Sequence, residues 1–268
     1  MTASRLSAEH LSIGYGDRPV ITDLSVQILD ARITVIVGPN ACGKSTLLRT
    51  LARLLRPSAG KVILDGSEIG TLHTKEVARR MGLLPQSATA PEGITVADLV
   101  SRGRFPHQRV IRQWSRDDEA AVAEAMRCTA ITGLSGRLVD ELSGGQRQRV
   151  WVAMVLAQQT PLLLLDEPTT YLDITHQVEL LDLFTMLNRE HGRTVVAVLH
   201  DLNHACRYAD HIIAMKDGRI VAQGNPREVV DETLVESVYG LRCQIIDDPQ
   251  TGTPLIVPRA GAHLRERR

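Results

Sequence analysis

Few loops constrain a fold as tightly as the segment Gly38-Pro39-Asn40-Ala41-Cys42-Gly43-Lys44-Ser45-Thr46. It fits the pattern G-x-x-x-x-G-K-S/T. Before it, Arg32 to Val37 (RITVIV) is a short β-branched run suited to a strand. After it, Lys44 to Leu55 reads as a helix with Leu47, Leu48, Leu51, Leu54 and Leu55 on one face. Glycines in that setting let successive backbone N–H groups wrap an anion, and the helix N-terminus adds a favourable dipole. The pattern predicts a nucleoside triphosphate site in which residues 38–46 cradle the phosphates. Lys44 would neutralise β/γ-phosphate charge and the Ser45 hydroxyl would ligate Mg2+.

A strand–loop–helix start also predicts the fold class, because strand and helix signals go on alternating, as in an α/β protein with a substantially parallel sheet. Pro57, Ser58 and Gly60 break the first helix, and Lys61 to Gly66 (KVILDG) reads as strand and turn. From about Pro91 to Ala157 helical runs prevail, such as Arg116 to Met126 led by Asp117, Asp118 and Glu119. This middle part is predicted to be a helical subdomain, about 91–157, inserted into a core of about 1–90 and 158–268. Leu162 to Leu165 suits a strand buried on both faces. His176 to Glu190 reads as an amphipathic helix with Leu180, Leu183, Phe184 and Leu187 on one side, and Thr194 to Leu199 (TVVAVL) as another buried strand. Signals weaken after Gly240, and Arg265 to Arg268 reads as a frayed end.

Composition excludes several functions. Lysine plus arginine equals aspartate plus glutamate, 31 each, which argues against a large basic nucleic-acid footprint, while a local basic patch could survive the cancellation. No stretch approaches the roughly 17–25 apolar residues that span a bilayer. The nearest, Val150 to Leu165, is interrupted by Gln158, Gln159, Thr160 and Pro161, and MTASRLSAEH lacks an apolar signal core. Membrane association is therefore expected to run through a partner. Cys42, Cys128, Cys206 and Cys243 are far apart without CxxC spacing, so they read as reduced cytosolic thiols. Alkylation of Cys42, inside the phosphate loop, is expected to block nucleotide binding.

Two further motifs carry chemistry. Leu162-Leu163-Leu164-Leu165-Asp166-Glu167 ends a buried strand in two carboxylates. Asp166 suits a Mg2+ ligand acting through the hydration shell, and Glu167 a general base that polarises attacking water. Leu142-Ser143-Gly144-Gly145-Gln146-Arg147-Gln148 opens a long helical run with two adjacent glycines and Ser143 at the N-cap position, making a second anion-binding helix end. His200-Asp201-Leu202-Asn203-His204 imitates the zinc-protease pattern H-E-x-x-H, but has Asp in place of the longer Glu and no obvious third ligand.

The Leu142 to Gln148 segment resembles the LSGGQ signature of ABC ATPases, placed upstream of the Asp166-Glu167 strand as in that family. The resemblance implies a P-loop NTPase (RecA-like) α/β core with an antiparallel β subdomain and an inserted helical subdomain, residues 1–268 forming one ABC ATPase domain. It implies further that Tyr15 stacks on adenine, that Gln86 is the Q-loop glutamine touching Mg2+ with Ser45 and Asp166, that Asp173 is the D-loop aspartate, and that His200 contacts the γ-phosphate. Tyr171 departs from the serine many members carry beside the D-loop. The family works as a head-to-tail homodimer in which Ser143, Gly144, Gly145 and Gln146 of one chain cap ATP and Mg2+ held by the other. It docks on an integral membrane permease at the cytoplasmic face of the inner membrane, and an extracytoplasmic solute-binding protein contributes indirectly. The permease groove is expected near Gln86 and Arg102 to His107, with Phe105 as a contact.

A closer resemblance rests on Arg102 to Gln108 (RGRFPHQ), Glu167 to His176 (EPTTYLDITH), Leu199 to Tyr208 (LHDLNHACRY) and Tyr239 to Thr253 (YGLRCQIIDDPQTGT). These segments look like ATPases of ferric siderophore importers, most of all the ferric enterobactin type. Importers of vitamin B12, haem and ferric dicitrate use similar subunits and remain alternatives. Non-transport ABC ATPases carry paired cassettes or long coiled-coil insertions, which this sequence does not contain. An exporter ATPase and a P-loop kinase are the other rivals, and the kinase would lack the Leu142 to Gln148 motif.

Overall fold

The computed structural model describes residues 4–16, 18–108 and 114–259, so the predicted frayed end, Arg265 to Arg268, lies outside the described residues. The chain divides into two compact units, Met1–Glu68 with Val196–Arg268, and Ile69–Val195.

The first unit begins with an antiparallel pair, β1 (Ser4–Tyr15) and β2 (Arg18–Leu29). Leu6, Ala8, Leu11 and Ile13 from β1 and Leu24, Val26 and Ile28 from β2 turn inward, the near-alternation expected of strands with one covered face. Next comes β3 (Ile33–Val37), buried at all five positions, which delivers the chain into the glycine loop and α1 (Lys44–Leu51). Then β4 (Ala59–Leu64) pairs with β1, and β5 (Ser67–Glu68) edges the sheet, whose order is β2-β1-β4-β5. This is the antiparallel β subdomain.

α1 is shorter than its leucine pattern predicts. Arg53 adopts a left-handed φ of 62°, its N–H donates to Thr50 O (2.9 Å), and Leu54 N–H reaches back to Arg49 O (2.8 Å). That pair of bonds is a Schellman closure, usually built on glycine. Leu54 is thereby thrown out to 61% exposure, off the face assigned to it.

The second unit holds α2 (Thr74–Arg80), β6 (Met81–Leu84), α3 (Val96–Ser101), a 3-10 turn (Arg102–His107), α4 (Arg116–Cys128), α5 (Gly144–Ala157), β7 (Leu162–Asp166) and α6 (Ile174–His191). β6 and β7 run parallel, Met81 opposite Leu162 through Leu84 opposite Leu165. Between residues 91 and 157 the described residues form helices and 3-10 turns, with only an isolated bridge, Thr95 to Leu138. The 3-10 turn is bolted down by Arg104. Its Nε donates to Asp118 Oδ1 (2.8 Å) and its Nη1 to Ala157 O (2.7 Å) and Gln159 Oε1 (2.9 Å), with Arg104 and Asp118 both buried. Gly103 permits this approach, since a Cβ there would lie 2.1 Å from Met154 O. On α6 the buried face is Leu180, Leu181, Phe184 and Leu187, while Leu183 is only half-buried.

The division between the units falls inside β8 (Thr194–Val198). Its first residue donates to Pro161 O at the start of β7 (2.9 Å), and Leu199 N–H, just past its end, donates to Ile36 O of β3 (3.3 Å). The first unit resumes with α7 (Leu202–Tyr208), β9 (His211–Lys216), parallel to β3, and β10 (Arg219–Gly224), antiparallel to β9. Then come α8 (Pro226–Val229), α9 (Glu232–Tyr239) and a hairpin of β11 (Cys243–Asp247) and β12 (Pro254–Pro258). Among the described residues no helix is long and apolar enough to cross a membrane.

Candidate functional site

The phosphate loop is built from backbone shape. Gly38 (φ 150°) and Gly43 (φ 104°) take conformations that side chains resist, and a Cβ on Gly38 would sit 2.2 Å from Met215 O. Gly43 is the N-cap of α1 and offers no side-chain cap, so no side chain competes for the N–H groups of the first turn. Lys44 is only 5% exposed, and its Nζ donates to Gly38 O (2.9 Å) and Pro39 O (2.8 Å). A buried ammonium held by neutral carbonyls alone is electrostatically hungry for an anion. Thr46 and Cys42 are buried beside it. Burial pushes the Cys42 thiol above its ordinary value, against the opposing pull of Lys44. The thiolate needed for alkylation is therefore scarce at neutral pH. In the same unit, Tyr15 ends β1 with 53% exposure. His200 is exposed between β8 and Asp201, the N-cap of α7, which accepts from His204 N–H (2.9 Å).

The second unit presents carboxylates. Asp166 is fully buried at the end of β7. Glu167 follows in a left-handed conformation (φ 55°) at 8% exposure, a backbone choice that costs roughly 1–3 kcal/mol and is retained at sites that need a side chain aimed. Gln86 Nε2 donates to Glu167 Oε2 at 2.7 Å, and Thr170 Oγ1 to the same oxygen at 3.4 Å. Sequence reasoning assigned Gln86 and Glu167 separately; nothing in the residues signalled that they would touch across 81 positions.

The glycine pair opens α5 as predicted, with Ser143 as its N-cap. Ser143 Oγ accepts from Gln146 N–H (3.3 Å) while Ser143 N–H donates to Gln146 Oε1 (3.1 Å), a reciprocal capping box. Gly145 faces the loop before α6, where an added Cβ would meet Leu172 at 3.3 Å. Asp173 caps α6, its Oδ1 accepting from His176 N–H (2.9 Å) and meeting His176 Nδ1 (2.8 Å), and these contacts hold its carboxyl below the usual carboxylate range. Tyr171 (φ 67°, 81% exposed) and Ile174 (74%) stand out beside it. Phe105 is also exposed, with Lys75 Nζ 5.1 Å from its ring centroid. Arg79 Nε ties down Pro106 O at 2.8 Å, so the Arg102 to His107 segment is an ordered 3-10 turn.

Among the described residues no group of three or more His, Cys, Asp or Glu is arranged to hold a metal, and the four cysteines are free thiols. Two further features of this region escaped the sequence reading. The Arg104–Asp118 pair is one. The other is Tyr239, whose buried hydroxyl lies near the Gly38 amide without reaching hydrogen-bond geometry. Burial pushes that phenol well above its ordinary range.

A glycine loop with a buried lysine at a helix start, and a buried strand ending in Asp-Glu, define a P-loop nucleotide-binding protein. The family profile described as ABC transporter matches residues 21–170. The ferric enterobactin transport ATP-binding protein FepC of Escherichia coli (strain K12) is 59% identical over 96% of this chain and 95% of its own. An inward-facing metal-chelate type ABC transporter shares the fold with a TM-score of 0.81 at 27% identity, covering 97% of this chain and 98% of that one. A dimeric bacterial ABC transporter cassette superposes with a TM-score of 0.75 at 27% identity, covering 82% of this chain and 98% of that one. The chain belongs to the ABC transporter family.

Proposed function

We propose that this chain is the ATP-hydrolysing subunit of an ABC importer that brings a ferric siderophore, of the ferric enterobactin type, into the cytoplasm. The observation that carries this reading is the 59% identity with FepC over 96% of the chain, which extends well past the profile's limit at residue 170. Residues 1–268 then form one ABC ATPase domain, with its core at about 1–90 and 158–268 and its helical subdomain at about 91–157.

In this reading the loop of residues 38–46 wraps the phosphates of ATP, Lys44 meets the β/γ oxygens, and Tyr15 stacks on adenine. Mg2+ would be held through Ser45, Gln86 and Asp166, an oxygen-donor set that suits a hard cation, and would neutralise charge on the phosphates. Gln86 fits that role by its chemistry: its Nε2 donates to Glu167, and the remaining amide oxygen is the atom that could meet a cation. Glu167 is the general base: held by Gln86 and nine-tenths buried, it takes the proton of the attacking water. His200 contacts the γ-phosphate. Ser143, Gly144, Gly145 and Gln146 of a second copy close over the nucleotide, with Asp173 at the dimer interface. ATP joins the dimer and hydrolysis releases it, and that two-state motion drives a membrane permease at the cytoplasmic face of the inner membrane. The permease contacts the neighbourhood of Phe105. Solute choice rests with the permease and an extracytoplasmic solute-binding protein.

The test is uptake of radioactive iron from a panel of ferric siderophores, haem and ferric dicitrate, with labelled vitamin B12 alongside. Cells carrying the intact chain are compared with cells carrying Glu167→Gln as the only copy. Loss of uptake for a siderophore class supports the reading and names the cargo. Unchanged siderophore uptake with loss of another solute would move the chain to that importer group.

A further inference from the structure

The C-terminal hairpin lies outside the residues matched by the family profile, yet it is tied to the helix that begins next to His200. Asn203 acts as an extra strand position against β12: Ile256 N–H donates to its Oδ1 (2.7 Å), and its Nδ2 donates to Ile256 O (3.3 Å). One turn further along the same face of α7, Arg207 Nη2 and Nε grip Asp248 Oδ2 (2.8 and 3.1 Å). Asp248 is buried, and its other oxygen accepts from Gln250 N–H (2.8 Å) and Thr251 N–H (3.3 Å), closing the hairpin turn. A cavity of about 270 Å3 beside this clamp is lined by His200, Asn203, Tyr239, Leu241 and Ile256.

α7 has seven residues and buries only Ala205 and Cys206. Helices shorter than roughly 12–15 residues are marginal in water by themselves, so tertiary ties decide where such a helix sits. Its cap, Asp201, adjoins His200, so a shift of α7 is passed directly to the backbone that aims the imidazole. We propose that the hairpin β11–β12 positions His200 for catalysis, with Asn203 and Arg207 as the positioning residues. This rests on the reading of His200 as the γ-phosphate contact. The clamp sets the turnover rate and leaves ATP binding by the phosphate loop unaltered.

The experiment measures ATPase kinetics of the full chain for Asn203→Ala, His200→Ala, the double variant and a control, Arg242→Ala. Arg242 pairs with Glu236 within the same C-terminal segment (Nε to Oε1, 3.0 Å). Small displacements of a catalytic group cost up to about a hundredfold in rate. Asn203→Ala is expected to lower kcat about tenfold or more with KM for ATP within about twofold, and Asn203→Asp, which keeps the acceptor for Ile256 N–H, to recover part of it. In the His200→Ala background Asn203→Ala should cost nothing further, and Arg242→Ala should keep native kcat. Native kcat for Asn203→Ala beside an impaired His200→Ala would overturn the clamp alone. So would a multiplicative loss in the double variant. Full turnover by His200→Ala would overturn the clamp and the reading of His200 together.

Discussion

The N-termini of α1 and α5 are both glycine-flanked helix ends, and they are built in opposite ways. At α1 no side chain caps the first turn and a buried lysine stands over the loop carbonyls, so the end is open and carries its own cation. At α5 the end is closed by the Ser143–Gln146 box and has no lysine in its first turn. Helix-dipole physics favours an anion at both. The difference is that α1 sets its cation over the loop itself, whereas α5 turns its first-turn cation, Arg147, back onto the Asp140 and Leu142 carbonyls and presents a serine oxygen that already accepts one bond and keeps its O–H proton to donate. Such an end suits a phosphate delivered by another chain. A third helix end marks the contrast: α4 is capped by Ser115 and Asp118, whose carboxylate fills the place an anion would take.

Lys44→Ala should show the largest effect. It removes the cation from the self-sufficient end, and nucleotide binding to the isolated chain should fall by two orders of magnitude or more, read by fluorescent-nucleotide titration; charge-assisted contacts to phosphate are worth about 1.5–3 kcal/mol each. Near-native binding would erase the distinction between the two ends.

Ser143→Asp comes next. Aspartate caps as well as serine, so thermal stability should hold, while a carboxylate facing a phosphate should abolish ATP-driven dimerisation in light scattering. Ser143→Ala loses the cap and about 1 kcal/mol of stability but adds no charge, so its dimer should survive with lower turnover. If Ser143→Asp dimerised normally, the α5 end would not face the nucleotide.

The smallest effect concerns α4. Burial pushes the Asp118 carboxyl up, but hydrogen bonds from Arg104 and Ser115 more than offset it and leave it below the usual carboxylate range. A depressed carboxyl contributes stability above its unfolded pKa and loses it as pH falls through the folded value. The melting-temperature gap between the native chain and Asp118→Asn should therefore be constant near neutrality and narrow below about pH 4. A gap that widened in acid would contradict the ion pair.

What could be read from the residues depended on how local the cause was. The phosphate loop, the strand ending in Asp166-Glu167 and the Ser143 cap each follow from a few adjacent residues, and the structure places all three on the expected strand or helix ends. The end of α1 was missed because Arg53, with no glycine to announce it, takes the left-handed closing position. The hairpin was missed because Cys243–Asp247 shows no clean alternation; only Cys243 in it is buried. The Gln86–Glu167 and Asn203–Ile256 bonds join distant residues of unremarkable type, so only the folded chain brings them together.

The most direct test mixes two inactive variants, Lys44→Ala and Ser143→Asp, and measures ATP hydrolysis. If each site combines the α1 end of one chain with the α5 end of another, a mixed dimer pairs the intact halves at one of its two sites. Since neither variant closes on itself, the ATP-driven dimers of an equal mixture are mixed, each with one good site of two, and turnover should recover to as much as about half of native. If mixed dimers form and hydrolysis stays at the level of either variant alone, the two helix ends do not serve one nucleotide from two chains.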